Sequence, residues 1–92
     1  MKIPYQKTKN KEEAFKKAKK VINKKYLAKW SLDVEVNCDD SLAKISAYGK
    51  GFDMHIKFLE NHCKAELKLS FLLRPFQSKI EGIIKNELEK NI

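Results

Sequence analysis

Four consecutive segments with alternating apolar and polar residues limit what this chain can fold into. They place apolar residues at every second position: Trp30, Leu32, Val34, Val36 and Cys38; then Ala43, Ile45 and Ala47; then Phe52, Met54, Ile56 and Phe58; then Cys63, Ala65, Leu67, Leu69 and Phe71. A period of two is typical of strands that bury one face. Turn-forming residues separate the segments at 39–41, 49–51 and 60–62. The pattern therefore predicts a four-stranded antiparallel meander with a single buried face.

Segments with helical periodicity precede and follow these strands. Over residues 11–26, the apolar residues fall on one arc: Ala14, Phe15, Ala18, Val21 and Ile22. Asn10 and Glu13 have the spacing of a capping box at its start. A second amphipathic helix follows Pro75, which is tolerated in a first helical turn. Its apolar face contains Phe76, Ile80, Ile83, Ile84, Leu88 and Ile92.

Together these elements predict an α+β fold in which the meander packs against two amphipathic helices. The segment Ile3-Pro4-Tyr5 leaves open a short extra edge strand at the N-terminus, because proline cannot donate a hydrogen bond into a central ladder. The predicted order is (β)αββββα. Its 92 residues predict a single α+β domain over 1–92.

Composition narrows the class of protein further. Hydrophobic residues make up 42% of the chain, which argues against disorder. No apolar stretch approaches the roughly 18 residues that span a bilayer. Residues 1–10 also lack the apolar run of a signal peptide. We therefore expect a cytoplasmic protein without a transmembrane segment.

The residues that most often carry chemistry are few. Cys38 and Cys63 are expected to be buried, reduced thiols, because three strand spacings, roughly 14 Å, would separate them. Neither His55 nor His62 has neighbours that complete a metal site. His62 precedes Cys63, but adjacent strand residues face opposite sides of a sheet. We expect no catalytic residue, metal site or cofactor, and we regard an enzyme as the least favoured class.

Positive charge is concentrated near the N-terminus. Residues 1–30 contain eleven lysines and two glutamates, whereas residues 31–92 are close to neutral. A lysine face on the first helix is a candidate polyanion-binding surface, formed by Lys16, Lys17, Lys20 and Lys24. The alternative is a face that only keeps the protein soluble. Nucleic acid is not the favoured partner, because this face has no arginine and Tyr48 is the sole outward aromatic residue predicted on the sheet.

The corner between the last strand and the last helix concentrates apolar residues around one arginine: Leu72, Leu73, Arg74, Pro75 and Phe76. One interpretation is that these residues close the end of the core. The other is a partly exposed patch used for docking. A third type of site is an apolar ligand pocket near Phe52, Met54 and Phe58. It is less favoured, because the inward-facing residues are only sufficient to fill the core.

This corner also carries a resemblance to a known family. The stretches Gly49-Lys50-Gly51-Phe52, Leu69-Ser70-Phe71-Leu72-Leu73-Arg74-Pro75-Phe76 and Ile80-Glu81 resemble the polyhydroxyalkanoic acid system proteins. The resemblance covers nearly the whole chain, and the Leu-Leu-Arg-Pro-Phe corner is its most specific part. It implies a small bacterial protein encoded with storage-polyester genes and sometimes associated with granules. No catalytic residue can be transferred from this family.

We therefore expect a non-enzymatic accessory protein of the polyhydroxyalkanoate storage system, whose partner is the storage-granule surface or a granule protein. The alternative is nucleic-acid or other polyanion binding through the lysine-rich N-terminal helix. The sequence also leaves open a homodimer formed through the exposed edge strands of the meander.

Overall fold

A five-stranded antiparallel sheet forms the frame of the computed structural model, which describes residues 1–30 and 32–92. The strands are β1 (Lys2–Pro4), β2 (Val34–Asp39), β3 (Lys44–Gly49), β4 (Phe52–Phe58) and β5 (His62–Leu69). Their order in the sheet is β1-β5-β4-β3-β2, and all neighbouring pairs are antiparallel. The predicted α+β class and the β2–β5 meander are confirmed. The N-terminal edge strand that the sequence left open is present as β1.

Two of the hairpin turns show why the strands reverse where they do. In the β2–β3 turn, the Asp39 carboxylate accepts hydrogen bonds from the Ser41 hydroxyl at 2.8 Å and the Leu42 amide at 3.1 Å. Such side-chain bonds stabilise a turn without a strand partner. In the β3–β4 turn, Gly51 adopts a φ of 75°, which glycine reaches without a steric penalty.

The helices are α1 (Lys11–Val21), α2 (Lys24–Ala28) and α3 (Gln77–Asn91), and a short 3-10 turn over Arg74–Phe76 leads into α3. Asn10 caps α1 as predicted, with its side chain accepting from the Glu13 amide at 2.9 Å. The prediction of one continuous helix over 11–26 is wrong. Asn23 accepts from the Tyr26 amide at 2.8 Å and donates to the Lys20 carbonyl at 3.0 Å, so it ends α1 and begins α2.

The core lies between one face of the sheet and the helices. Phe15 of α1 meets Phe58 of β4 edge-on, with ring centroids 5.5 Å apart. The buried side of α3 carries Ile80, Ile84, Leu88 and Ile92. The residues considered for an apolar ligand pocket, Phe52, Met54 and Phe58, are themselves buried in this core.

Three predicted apolar positions at the ends of the strand pattern are exposed. β2 begins only at Val34, which pairs with the last residue of β3, so Trp30 lies outside the sheet and is 47% exposed. Phe71 lies beyond the last residue of β5 and is 82% exposed. Phe71 has no strand partner because β4 begins at Phe52, opposite Leu69. Trp30 instead belongs to the turn that ends α2, where its amide donates to the Leu27 carbonyl at 3.1 Å. Cys38, near the end of edge strand β2, is likewise exposed rather than buried.

The two edges of the sheet differ. On one side, the three-residue β1 contains Pro4 and covers β5. On the other side, the six-residue β2 forms the edge of the sheet. A short strand with proline is a poor template for pairing with a second chain. A homodimer through the sheet edge, which stays a prediction, would therefore form through β2.

Candidate functional site

The two most exposed large apolar residues in the described part of the chain lie at the corner between β5 and α3, which we call the apolar corner (residues 71–76). Phe71 is 82% exposed, Leu72 81% and Phe76 54%. Arg74 and Pro75 are also exposed, whereas Leu73 turns inward and packs against the core. An open depression of about 460 Å³ is lined by Phe71, Leu72, Arg74 and Pro75. The corner therefore presents side chains to solvent that a core would ordinarily bury.

Backbone hydrogen bonds hold the apolar corner in place. The Ser70 amide donates to the Gly51 carbonyl at 2.9 Å and so ties the corner to the β3–β4 turn. The Ser70 carbonyl accepts from the Leu73 and Arg74 amides, both at 3.0 Å. The Phe76 amide donates to Leu73 at 2.9 Å. Because these groups are satisfied within the chain, the apolar side chains are displayed on a fixed backbone rather than on a loose loop.

The predicted lysine face is divided between two helices. Lys16, Lys17 and Lys20 lie on α1 and are exposed. Lys24 lies on α2, where its ammonium is 2.9 Å from a Glu35 carboxylate oxygen. The hydrogen bond to Glu35 raises the pKa of Lys24. The break at Asn23 therefore separates one of the four predicted lysines from the other three and gives it a counter-charge.

A second basic feature lies on the sheet face opposite the helices, and we call it the lysine row: Lys2, Lys44, Lys57 and Lys64. Lys44 pairs with Lys57, Lys57 with Lys64, and Lys64 with Lys2, on four neighbouring strands. Sequence reasoning missed this feature, because an alternating pattern predicts polar faces without fixing the strand register. The register is the signal that would have revealed it.

The lysine row is open to solvent and poorly neutralised. Lys2, Lys57 and Lys64 are exposed and Lys44 is half-buried. Within residues 1–30 and 32–92, none of the four takes part in an ion pair. Burial and the charges of Lys2 and Lys64 lower the pKa of the neighbouring His62. The row therefore creates a local positive field on this face of the sheet.

Next to the lysine row, Ser46, His55 and Asp53 form a polar cluster that resembles a Ser-His-Asp triad in composition. The Ser46 hydroxyl is 3.2 Å from His55 Nδ1, and His55 Nε2 is 2.9 Å from Asp53 Oδ1. That Asp53 oxygen nevertheless lacks a properly directed hydrogen bond, so the short distance describes proximity only. Ser46 is only 6% exposed. A nucleophile must be accessible to its substrate, whereas Ser46 is buried.

The two cysteines occupy different environments. Cys63 is buried, and burial raises the pKa of its thiol to about 11. Cys38 is exposed at the sheet edge, and its pKa is also raised, chiefly by partial burial of the thiol group. Both are free thiols. Because the thiolate is the reactive form, neither environment activates its cysteine.

The described part of the chain, residues 1–30 and 32–92, lacks two further kinds of feature. It contains no group of three or more His, Cys, Asp or Glu side chains placed to hold a metal ion. None of its helices is both long enough and apolar enough to cross a membrane.

Comparison with known protein families identifies the family of this chain. The model of a family described, provisionally, as polyhydroxyalkanoic acid system protein matches residues 1–92. The chain belongs to this family. The resemblance drawn from the sequence is therefore confirmed, and the family description connects the protein with the storage-polyester system. No curated protein and no solved structure matches the chain.

Proposed function

We propose that this protein is a non-enzymatic accessory protein of the polyhydroxyalkanoate storage system that adsorbs to the granule surface through the apolar corner. The observation that carries this proposal is the exposure of Phe71, Leu72 and Phe76 on a hydrogen-bonded backbone. Membership in the polyhydroxyalkanoic acid system family supports a polyester surface as the partner. In this proposal, the protein acts in the cytoplasm, at storage granules.

The energetics of the apolar corner suit reversible adsorption. Aromatic side chains bury about 150–250 Å² each, so covering Phe71, Leu72 and Phe76 removes on the order of 400 Å² from water. At about 25 cal/mol per Å², the gross gain is about 10 kcal/mol. Loss of translational and rotational freedom costs about 4–15 kcal/mol. The fixed backbone reduces the additional ordering cost, because little of the corner has to be immobilised on binding.

The non-enzymatic part of the proposal is supported by the environment of the reactive side chains. Ser46 is buried beside His55, and the Cys63 thiol has a raised pKa. A hydrolytic or transfer reaction would need an accessible, activated nucleophile. The apolar corner and the basic surfaces are open to a partner, and these features suit binding.

The test measures binding of the purified protein to polyester particles at physiological salt. Phe76→Asp should weaken binding about 10- to 100-fold, because burying a phenylalanine contributes about 1.5–3 kcal/mol. Leu72→Asp should have a similar effect, and because Leu72 is 81% exposed, this substitution leaves the packing of the core unchanged. Leu42→Asp is the matched control, since Leu42 is 62% exposed in the β2–β3 turn, away from the apolar corner.

Equal binding by the wild type and both corner variants would refute the proposal. A loss that Leu42→Asp shares to the same extent would point to general charge repulsion instead of a docking corner.

The alternative function, polyanion binding through Lys16, Lys17, Lys20 and Lys24, is favoured by the exposure of the three lysines on α1. Duplex DNA in the same assay tests it. Binding to DNA that is lost when these four lysines are replaced by glutamine would support that alternative.

A further inference from the structure

The lysine row is a linear arrangement of positive charge that crosses four strands. Neighbouring strands in a sheet lie about 4.8 Å apart, so the row from Lys44 to Lys2 extends for roughly 14 Å. Side chains directly opposite each other in an antiparallel pair project from the same face. The strand register thus directs all four lysines to the sheet face that the helices leave uncovered.

This arrangement opposes the stability of the sheet. Like charges directly opposite each other on neighbouring strands are destabilising, and the lysine row contains three such pairs in succession. The nearest carboxylates by register offset only part of this positive charge. Asp39 pairs with Lys44 at the β2 end of the row, and hydrogen bonds from Ser41 and Leu42 together with the charge of Lys44 lower the pKa of its carboxyl group, so it is a counter-charge for Lys44. Glu66 lies two residues along β5 from Lys64 and pairs with His55. A bound anion would supply the missing counter-charge.

The side chains in and around the lysine row favour some anionic ligands over others. All four residues are lysines, which act as point charges, and the row lacks the planar guanidinium that reads bases and phosphates bidentately. Single-stranded nucleic acids also need aromatic side chains on which their bases stack. Tyr48, the exposed aromatic residue of β3, pairs with Asp53 and so lies outside the row. A chain of phosphates without bases fits this surface better than a nucleic acid does.

We propose that the lysine row binds linear inorganic polyphosphate along the uncovered face of the sheet. This site is separate from the apolar corner and does not depend on the proposed granule function. It also differs from the lysine face of α1, which lies on the side of the sheet that the helices cover.

The test compares two variants that each lose three positive charges. The row variant carries Lys44→Gln, Lys57→Gln and Lys64→Gln. The helix variant carries Lys16→Gln, Lys17→Gln and Lys20→Gln. Affinity for fluorescently labelled polyphosphate is measured by anisotropy between 0.1 and 1 M salt. Each lysine that neutralises a phosphate on a single chain contributes about 0.7 to the slope of log K against log salt. The row variant should therefore bind about 100-fold more weakly at 0.1 M salt, with a slope reduced by about two.

The helix variant should keep its affinity within about threefold. Circular dichroism spectra of the two variants establish that both are folded. Equal losses in both variants would overturn the proposal in favour of nonspecific attraction by net charge, and a loss in the helix variant alone would move the site to α1. Single-stranded DNA of equal charge should bind more weakly than polyphosphate. If it binds as tightly and through the row, the polyphosphate assignment is wrong.

Discussion

At the residue scale, Gly51 and Gly82 occupy contrasting positions. Gly51 has a φ of 75°, and a Cβ atom there would stand 2.5 Å from the Ser70 hydroxyl oxygen. Gly82 lies within α3, and nothing stands within 4 Å of a Cβ atom at that position. The first glycine is required by the turn that supports the apolar corner. The second only weakens its helix.

These positions predict opposite effects of the same substitution. Gly51→Ala should lower the free energy of unfolding by about 1–2 kcal/mol, because an L-residue is disfavoured at positive φ and Ser70 must move. Gly82→Ala should raise it by about 0.5–1 kcal/mol, since alanine is the better helix former. Urea denaturation of both variants and the wild type measures the difference. A neutral Gly51→Ala variant would contradict the conformation of the β3–β4 turn.

At the element scale, the alternating sequence was sufficient to predict four strands and the buried face of the sheet. It could not predict where those strands end, because an end depends on the length of the partner strand. Phe71 continues the alternation of β5, yet the strand ends at Leu69, and Trp30 continues that of β2 but lies in the turn that ends α2. The helix break at Asn23 was not predicted, since the apolar residues keep helical periodicity as far as Ile22, and the two side-chain hydrogen bonds of Asn23 show where α1 ends and α2 begins.

The candidate sites were predictable to different degrees. The apolar corner is contiguous in sequence, so its composition was visible before the structure, but its exposure was not. The lysine row is assembled from β1, β3, β4 and β5, and its members lie next to each other only once the register is fixed. A one-residue shift in pairing would move each lysine away from its partner. Sequence alone therefore revealed the local site and missed the non-local one.

The lysine row makes a prediction about sheet stability that does not involve a ligand. Lys57→Glu replaces two like-charge pairs with two opposite-charge pairs, and each such pair is worth about 0.2–1 kcal/mol. The free energy of unfolding of the variant, measured by urea denaturation at low salt, should therefore be about 1 kcal/mol higher than that of the wild type. Added salt should shrink the difference, because exposed charges are screened.

Lys68→Glu is the matched control for this prediction. It changes the net charge by the same amount, but Lys68 pairs with Asp53, so the substitution creates a like-charge pair. It should lower the free energy of unfolding or leave it unchanged. If both variants gain stability equally, the gain comes from the lower net charge of the molecule, +8 in the wild type, and not from the row.

At the scale of the whole molecule, the apolar corner and the lysine row lie at opposite ends of the sheet. Phe52 pairs with Leu69 at the end that adjoins the corner, and Lys57 lies five residues further along β4. At about 3.4 Å per residue, the row is roughly 17 Å from that end. The longest dimension of the molecule is 38 Å. A protein docked through the corner would therefore keep the row free for a second ligand.

This separation predicts that the protein bridges the two proposed ligands. Polyester particles coated with wild-type protein should capture labelled polyphosphate, and bare particles should not. Particles coated with the Lys44/Lys57/Lys64→Gln variant should retain the protein but lose the polyphosphate. Leu72→Asp should reduce both signals together, because it removes the protein from the particle. If polyphosphate instead displaces the wild-type protein, the two surfaces compete, and docking must use the lysine row as well as the apolar corner.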